Sequence, residues 1–98
     1  MKRAMWHGAV IAEAETIQVV DGYPYFAKEA VKWEHLRPIA KTSVCGWKGT
    51  ASYYDVVVDG EVNPDAAWYY PDPRPAAEQV RDRVAFWHGV RVQQRPDG

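Results

Sequence analysis

The sequence predicts a mainly β fold: a compact antiparallel β-sandwich or partly open barrel, built from hairpins, with one or two short helices. The first observation is a set of X-Gly pairs, which supply the positive φ angles of tight hairpin turns. Four such pairs lie between strand-favouring residues: His7-Gly8, Asp21-Gly22, Asp59-Gly60 and His88-Gly89. The second is composition, since 98 residues with 47% hydrophobic and 26% charged side chains suit one modest globular core. We therefore expect a single domain over residues 1–98, ending in a short disordered tail at about 95–98.

Seven segments rich in β-branched and aromatic residues are predicted strands. In chain order they are residues 9–14, 17–21, 23–26, 50–58, 67–70, 84–87 and 90–94. Alternation along the longest segment predicts one face toward a core and one face partly in water. The core-facing set is Ser52, Tyr54, Val56 and Val58, and the partly solvated set is Tyr53, Asp55, Val57 and Asp59. Pro75 suits the first turn of a short helix that continues to Arg81, and a single helical turn is also expected at residues 27–31.

The charge balance argues against nucleic-acid binding, and the hydropathy pattern argues against a membrane span. With 12 basic against 13 acidic residues, the formal net charge is -1, so no excess of positive charge is available for a phosphate backbone. The sequence has no apolar run long enough for a membrane span and no signal-peptide core after its basic start. We therefore expect a cytoplasmic protein without a nucleic-acid or membrane partner, whose lone cysteine stays reduced.

Aromatic residues exceed the ordinary share, with five Trp, six Tyr and two Phe. A small domain can fill its core with such large side chains. However, the run Trp68-Tyr69-Tyr70 sends neighbouring side chains to opposite faces of a sheet, so at least one lies outside a single core. We therefore expect an aromatic-lined pocket for a small planar or anionic ligand. Its predicted lining is Trp47, Tyr54, Trp68 and Tyr70, with Lys48 attracting an anionic group and the Gly49 amide approaching it.

Cys45 and Lys48 are the candidate catalytic residues of an alternative hypothesis, a thiol-dependent enzyme. The ammonium of Lys48 lies three residues after the only cysteine, across a glycine-flanked turn, where it would favour the nucleophilic thiolate. Tyr53 or a histidine would carry the proton, and a dyad of Cys45 with a histidine stays open from sequence. The histidines are His7, His35 and His88. A buried structural thiol is the simpler interpretation.

No metal site and no cofactor are predicted. One cysteine and three scattered histidines form none of the short-spaced pairs of a structural zinc site. The carboxylates of Asp55, Asp59 and Glu61 lie near one hairpin, but Asp59 belongs to the Asp-Gly turn. A phosphate-binding glycine loop is also absent from the sequence.

Three motifs resemble a bacterial family, the domain of unknown function 427. They are Thr-Ser-Val-Cys-Gly-Trp-Lys-Gly-Thr-Ala-Ser-Tyr-Tyr at 42–54, Pro-Asp-Ala-Ala-Trp-Tyr-Tyr-Pro-Asp-Pro at 64–73 and Val-Ala-Phe-Trp at 84–87. Gly46 departs from the family pattern, which usually has proline there. The resemblance implies a compact, mostly β domain. The family is sometimes labelled nucleotidyltransferase-like, but the Gly-Ser and paired-aspartate signature of that chemistry is absent here.

The sequence thus leaves three functional hypotheses. The preferred one is a small-molecule binding module, and the first alternative is the thiol-dependent enzyme. The second alternative is a protein-interaction domain that uses an exposed aromatic patch including Tyr69. A monomer and a homodimer are equally compatible with the sequence.

Overall fold

The computed structural model describes residues 1–94, which form nine strands in two antiparallel sheets. The strands are β1 Lys2–Trp6, β2 Ala9–Ala14, β3 Gln18–Val20, β4 Tyr23–Ala27, β5 Leu36–Cys45, β6 Gly49–Val58, β7 Glu61–Tyr69, β8 Arg83–Phe86 and β9 Arg91–Gln94. The small sheet has the order β2-β1-β9, and the large sheet has the order β3-β4-β8-β7-β6-β5. The predicted mainly β class is confirmed. The arrangement is a sandwich, and within residues 1–94 neither sheet closes into a barrel. The predicted disordered tail lies outside the described residues.

All four predicted X-Gly turns have left-handed backbone conformations. The first residues of these pairs have φ angles of 50° at His7, 54° at Asp21, 50° at Asp59 and 53° at His88. Three of the turns connect paired antiparallel strands. The fourth is not a hairpin, because β8 belongs to the large sheet and β9 pairs with β1 in the small sheet. The turn at His88-Gly89 therefore carries the chain from one sheet to the other.

Strands β1 and β5 are absent from the sequence-based prediction, and β7 starts six residues earlier than predicted. Strand β5 forms an edge of the large sheet, and most of its residues are exposed. Its ladder with β6 is interrupted between Pro38 and Thr42. Proline and charged side chains are common on edge strands because one side of the backbone needs no partner. The same residues conceal such a strand from a search for alternating apolar side chains.

Helical structure consists of short 3-10 helices, at Lys28–Ala30, Trp33–His35 and Pro75–Val80. The predicted helix at residues 75–81 is thus a 3-10 helix, and Ala77 interrupts it with φ -116° and ψ 31°. The expected turn at 27–31 is confirmed by the helix at Lys28–Ala30. In the described part of the chain, no helix has the length and apolar character that a bilayer span requires.

The large sheet packs against a hydrophobic core on each of its faces. The first core lies between the sheets and includes Ile11, Phe26, Val56 and Phe86. The second core lies on the opposite face, where the helix Pro75–Val80 covers part of it, and its members include Tyr25, Tyr53, Trp68, Tyr70 and Val80. Neighbouring residues alternate between the cores, since Trp68 belongs to the second and Tyr69 packs against the first. This alternation confirms that the aromatic run cannot lie in one core.

The predicted solvation of one face of β6 is wrong for Tyr53 and Asp55, which are both buried. Tyr53 packs in the second core, which the sequence did not indicate for this face. Asp55 accepts hydrogen bonds from the Asp65 amide and from Arg37, each at 2.9 Å. Burial alone would raise the pKa of Asp55, but these two hydrogen bonds outweigh burial and lower it. A buried carboxylate is stable here because its charge and lone pairs are satisfied.

Candidate functional site

Lys48 lies in the turn between β5 and β6 and is only 5% exposed. Its Nζ donates a hydrogen bond of 2.7 Å to Asp21 Oδ2 in the turn between β3 and β4. The ammonium also lies 5.2 Å from the ring centre of Trp47 and 5.6 Å from that of Tyr70. Burial alone would lower the pKa of Lys48, but the hydrogen bond to Asp21 and the nearby Tyr25 raise it. Lys48 is therefore charged at neutral pH, and its partner Asp21 is part of the protein.

Cys45, the second candidate catalytic residue, is half-buried and packs against the second core. The polar partner of Lys48 is the carboxylate of Asp21. The candidate histidines have contacts elsewhere: His7 lies beside Trp6, His35 Nδ1 is 3.0 Å from the Val57 carbonyl oxygen, and His88 stacks on Trp87. A catalytic role for Cys45 stays a prediction.

The structure brings together only some of the six residues predicted to bind a ligand. Trp68 and Tyr70 are buried in the second core, and the Trp68 indole donates a hydrogen bond of 3.2 Å to the Tyr25 hydroxyl. Trp47 and Lys48 lie beside Tyr70. Tyr54, in contrast, packs toward the first core on the opposite face of the sheet. Tyr54 and Lys48 therefore do not share one pocket.

Tyr54 instead lines a cavity of about 330 Å³, which we name the aromatic pocket. Its lining residues are Lys28, Trp33, Tyr54, Tyr69, Tyr70, Pro71, Asp82, Arg83 and Val84. The rings of Tyr54 and Tyr69 stack with centres 5.4 Å apart, and Trp33 meets Tyr54 edge-on at 5.6 Å. Trp33 is 43% exposed, and its indole donates a hydrogen bond of 3.0 Å to the Lys28 carbonyl oxygen. A largely aromatic wall thus faces solvent.

Two cations and one carboxylate line the aromatic pocket. Lys28 forms an ion pair with Asp82, with 3.7 Å between Nζ and Oδ1. Arg83 is the second cation of the pocket. Among residues 1–94, no side chain or carbonyl forms a hydrogen bond or ion pair with the Arg83 guanidinium. Burial, followed by the neighbouring Tyr69, raises the pKa of Tyr54 to about 12. The Tyr54 phenol is therefore neutral at physiological pH and can donate a hydrogen bond.

A second cavity of about 350 Å³ adjoins the aromatic pocket, and we name it the polar pocket. Its lining residues are Gly49, Thr50, Ser52, Pro71, Asp72 and Arg74. Pro71 lines both cavities and stands between them. Thr50, Ser52 and Tyr54 alternate along β6 and therefore share one face of the sheet. The two pockets thus follow one another along a single strand.

Gly49 determines how closely the segment 71–74 approaches β6. Its φ angle is 116°, and a Cβ atom there would lie 3.1 Å from the carbonyl oxygen of Asp72. The Arg74 amide donates a hydrogen bond of 2.9 Å to the carbonyl oxygen of Lys48. The turn that carries Lys48 and Gly49 therefore holds one wall of the polar pocket in place.

The family model described as a domain of unknown function (DUF427) matches residues 2–97, nearly the whole chain. The chain belongs to the DUF427 family. The family resemblance drawn from the three sequence motifs is thereby confirmed. Comparison with curated proteins gives no match. In residues 1–94 of this DUF427 protein, no group of three or more His, Cys, Asp or Glu side chains is arranged to hold a metal ion.

Trp33, Arg83 and Arg74 are pocket residues of the DUF427 chain that the sequence reasoning missed. Trp33 lies in a short 3-10 helix and Arg74 in a proline-rich loop, so neither follows a strand pattern. Arg83 is the first residue of β8, one position before the strand predicted at 84–87, so the pattern that predicts the strand does not include it. Trp33 alone gave little signal in the sequence, because single apolar residues are normal on a protein surface.

Proposed function

We propose that this DUF427 protein binds a small planar ligand that carries an anionic group. The ring would lie against Trp33, Tyr54 and Tyr69 in the aromatic pocket, with its anionic group at Arg83. One observation carries the proposal: an arginine that lines an aromatic cavity of about 330 Å³ has no partner in the described part of the chain. Cavities of about 300–1,000 Å³ with aromatic walls and a few polar groups are typical ligand sites.

The chemistry of the lining supports this choice of ligand. Aromatic rings bind another planar ring through dispersion and through edge-on or offset stacking. A guanidinium matches the geometry of a carboxylate or a phosphate, because it donates two parallel hydrogen bonds. Lys28 and Arg83 together outnumber Asp82, so the local charge favours an anion. The Tyr54 phenol, which is neutral and hydrogen-bonded to Tyr69, adds no negative charge that would repel the anion.

This proposal moves the anion-binding role from Lys48 to Arg83. Lys48 supports the role poorly because its ammonium is buried and already hydrogen-bonded to Asp21. An anionic ligand at Lys48 would have to compete with the carboxylate of Asp21, which is part of the protein itself. Arg83 faces no such competition among the described residues. The proposed location is the cytoplasm, in keeping with the free thiol of Cys45.

Thermal-shift and NMR titrations with aromatic acids test the proposal. Suitable probes are 4-hydroxybenzoate, indole-3-acetate and salicylate, and 4-hydroxybenzamide serves as the neutral control. A ligand at ten times its Kd stabilises the folded state by about 1.4 kcal/mol, which raises the Tm by roughly 5–10 °C. We expect the acids to bind and the amide to bind more weakly.

Two variants assign the binding to the aromatic pocket. Tyr54→Ala removes part of the wall and Arg83→Gln removes the cation, so both should weaken binding of the acids. Arg91→Gln is the matched control, because Arg91 is exposed on β9 of the other sheet. If none of the aromatic acids shifts the Tm or the amide resonances around the pocket, the proposed function is wrong.

A further inference from the structure

The polar pocket continues the aromatic pocket on the far side of Pro71. Ser52 pairs with Tyr69 across the ladder between β6 and β7, and Tyr54 follows Ser52 on the same face of β6. A hydroxyl of the polar pocket is therefore next to the two stacked rings of the aromatic pocket. A ligand with a ring in one pocket would have any substituent that points past Pro71 in the other.

The polar pocket has a different chemical character from its neighbour. Asp72 and Arg74 bring one negative and one positive charge, and Thr50 and Ser52 bring two hydroxyl groups. Within residues 1–94, the side chains of Thr50, Ser52 and Arg74 form no hydrogen bond or ion pair. The guanidinium only donates, the carboxylate only accepts, and a hydroxyl does both. Because the charges balance, this pocket suits a neutral group with several hydroxyls better than a second anion.

We infer that the polar pocket binds a hydroxylated, sugar-like substituent of the planar ligand, an inference that rests on the proposed function of the aromatic pocket. The ligand class is therefore a planar acid that carries a polyol, such as an aryl glycoside with a ring carboxylate. The ring carboxylate pairs with Arg83, and the hydroxyls of the sugar exchange hydrogen bonds with Ser52, Asp72 and Arg74.

The backbone around the polar pocket is arranged before any ligand arrives. The absence of a side chain at Gly49 lets the Asp72 carbonyl approach β6, and the Arg74 amide is bound to the Lys48 carbonyl oxygen. Arg74 is therefore anchored through its backbone while its exposed side chain stays available. Holding the segment in place reduces the ordering that a ligand would otherwise have to impose.

A matched pair of probes tests the inference by isothermal titration calorimetry. The probes are 4-hydroxybenzoate and its 4-O-β-glucoside, which share the ring and the carboxylate and differ in the sugar. Each well-formed hydrogen bond changes an affinity by a factor of roughly 2–10, so we expect the glucoside to bind about tenfold more tightly. Arg74→Ala and, separately, Ser52→Ala should reduce this gain without weakening the binding of 4-hydroxybenzoate. Arg91→Gln should leave both affinities unchanged.

The outcomes separate the two proposals. If both probes bind with equal affinity, or if the gain survives in Arg74→Ala and Ser52→Ala, the sugar subsite is wrong and the aromatic pocket stands. If neither probe nor any other aromatic acid binds, the proposed function fails and the subsite fails with it. Circular dichroism of each variant checks that the fold is retained. Amide shifts at Thr50 and Ser52 in the unmodified protein provide a second measurement, and we expect them with the glucoside alone.

Discussion

Gly49→Ala is the substitution that most directly tests the position of the segment 71–74. Gly49 has a φ angle of 116°, a conformation that residues with a side chain rarely adopt. The added methyl group would also lie 3.1 Å from the Asp72 carbonyl oxygen. The neighbouring atoms are backbone atoms of residues 72–74, and the hydrogen bond from Arg74 to Lys48 holds that segment in place. The strain therefore cannot be relieved by rotating a flexible side chain.

The size of the effect follows from these two contributions. A non-glycine residue in a sparsely populated backbone conformation costs about 1–3 kcal/mol. The close contact with a tethered carbonyl adds to this cost, so we expect the free energy of unfolding to fall by about 2–3 kcal/mol. For a domain of this size, that loss lowers the Tm by roughly 10–20 °C.

Gly46→Ala is the matched control within the same turn. Its added Cβ would meet no atom within 4 Å, and its φ angle is not in the left-handed range. A compatible glycine-to-alanine change is neutral or stabilises by up to about 1 kcal/mol, because the unfolded chain loses freedom. Urea unfolding followed by tryptophan fluorescence measures both variants. Equal stabilities of Gly49→Ala and Gly46→Ala would refute the reasoning about Gly49.

Three further predictions concern the ion pair, the first core and the thiol. Asp21→Asn should lower the Tm most between about pH 4 and pH 10, because the pKa of Asp21 is lowered from 3.8 and that of Lys48 is raised from 10.5. Asp21 therefore stabilises above pH 3.8 and loses its effect as the pH falls below it, whereas Lys48 loses its effect only as the pH rises past 10.5. A constant difference in melts from pH 2.5 to pH 11 would contradict this. Phe86→Ala should cost about 3–5 kcal/mol in urea unfolding because Phe86 is 1% exposed. Val19→Ala, at a residue that is 65% exposed, should change stability by under about 0.5 kcal/mol, and similar losses in both would argue against the assigned core. Lys48→Met should not slow iodoacetamide alkylation of Cys45, measured by mass spectrometry, because the ammonium is bound to Asp21. A several-fold slower reaction would instead support the thiol-enzyme hypothesis.

The parts of the fold that local chemistry determines could be predicted from the sequence. The turns at His7, Asp21 and Asp59 form at the predicted X-Gly pairs, and these residues have the positive φ angles that such turns need. The strands that follow these turns are rich in β-branched and aromatic residues, which favour strands because they pack well on the surface of a sheet. Strand β5 escaped prediction because its conformation depends on pairing with β6, not on its own residues. The turn at His88 has the predicted local geometry. However, tertiary contacts, not the local sequence, determine which sheet the next strand joins.

The sequence predicted the aromatic character of the candidate site, but not its position or most of the residues that line it. The excess of aromatic residues correctly indicates an aromatic cavity, and Tyr54 and Tyr70 line it. The second core explains why Trp68 does not line this cavity, because Trp68 is buried in that core against Tyr25 and Trp87. The pairing of Lys48 with Asp21 spans 27 residues, and no local pattern encodes such a contact. The unpaired state of Arg83 is likewise a property of the assembled fold.

The turn from Gly46 to Gly49 influences both proposed subsites without contributing a charge to either. Lys48 holds the β3–β4 turn through its ammonium and holds Arg74 through its carbonyl oxygen. Gly49 then allows Asp72 to lie against β6, which places Pro71 between the two pockets. Shifting this turn would therefore move Pro71, which separates the pockets, even though Trp33 and Tyr54, the residues proposed to bind the ring, stay where they are. We accordingly expect Gly49→Ala, where it remains folded, to weaken binding of the glucoside more than binding of 4-hydroxybenzoate. Equal losses for both probes would mean that the turn acts on stability alone.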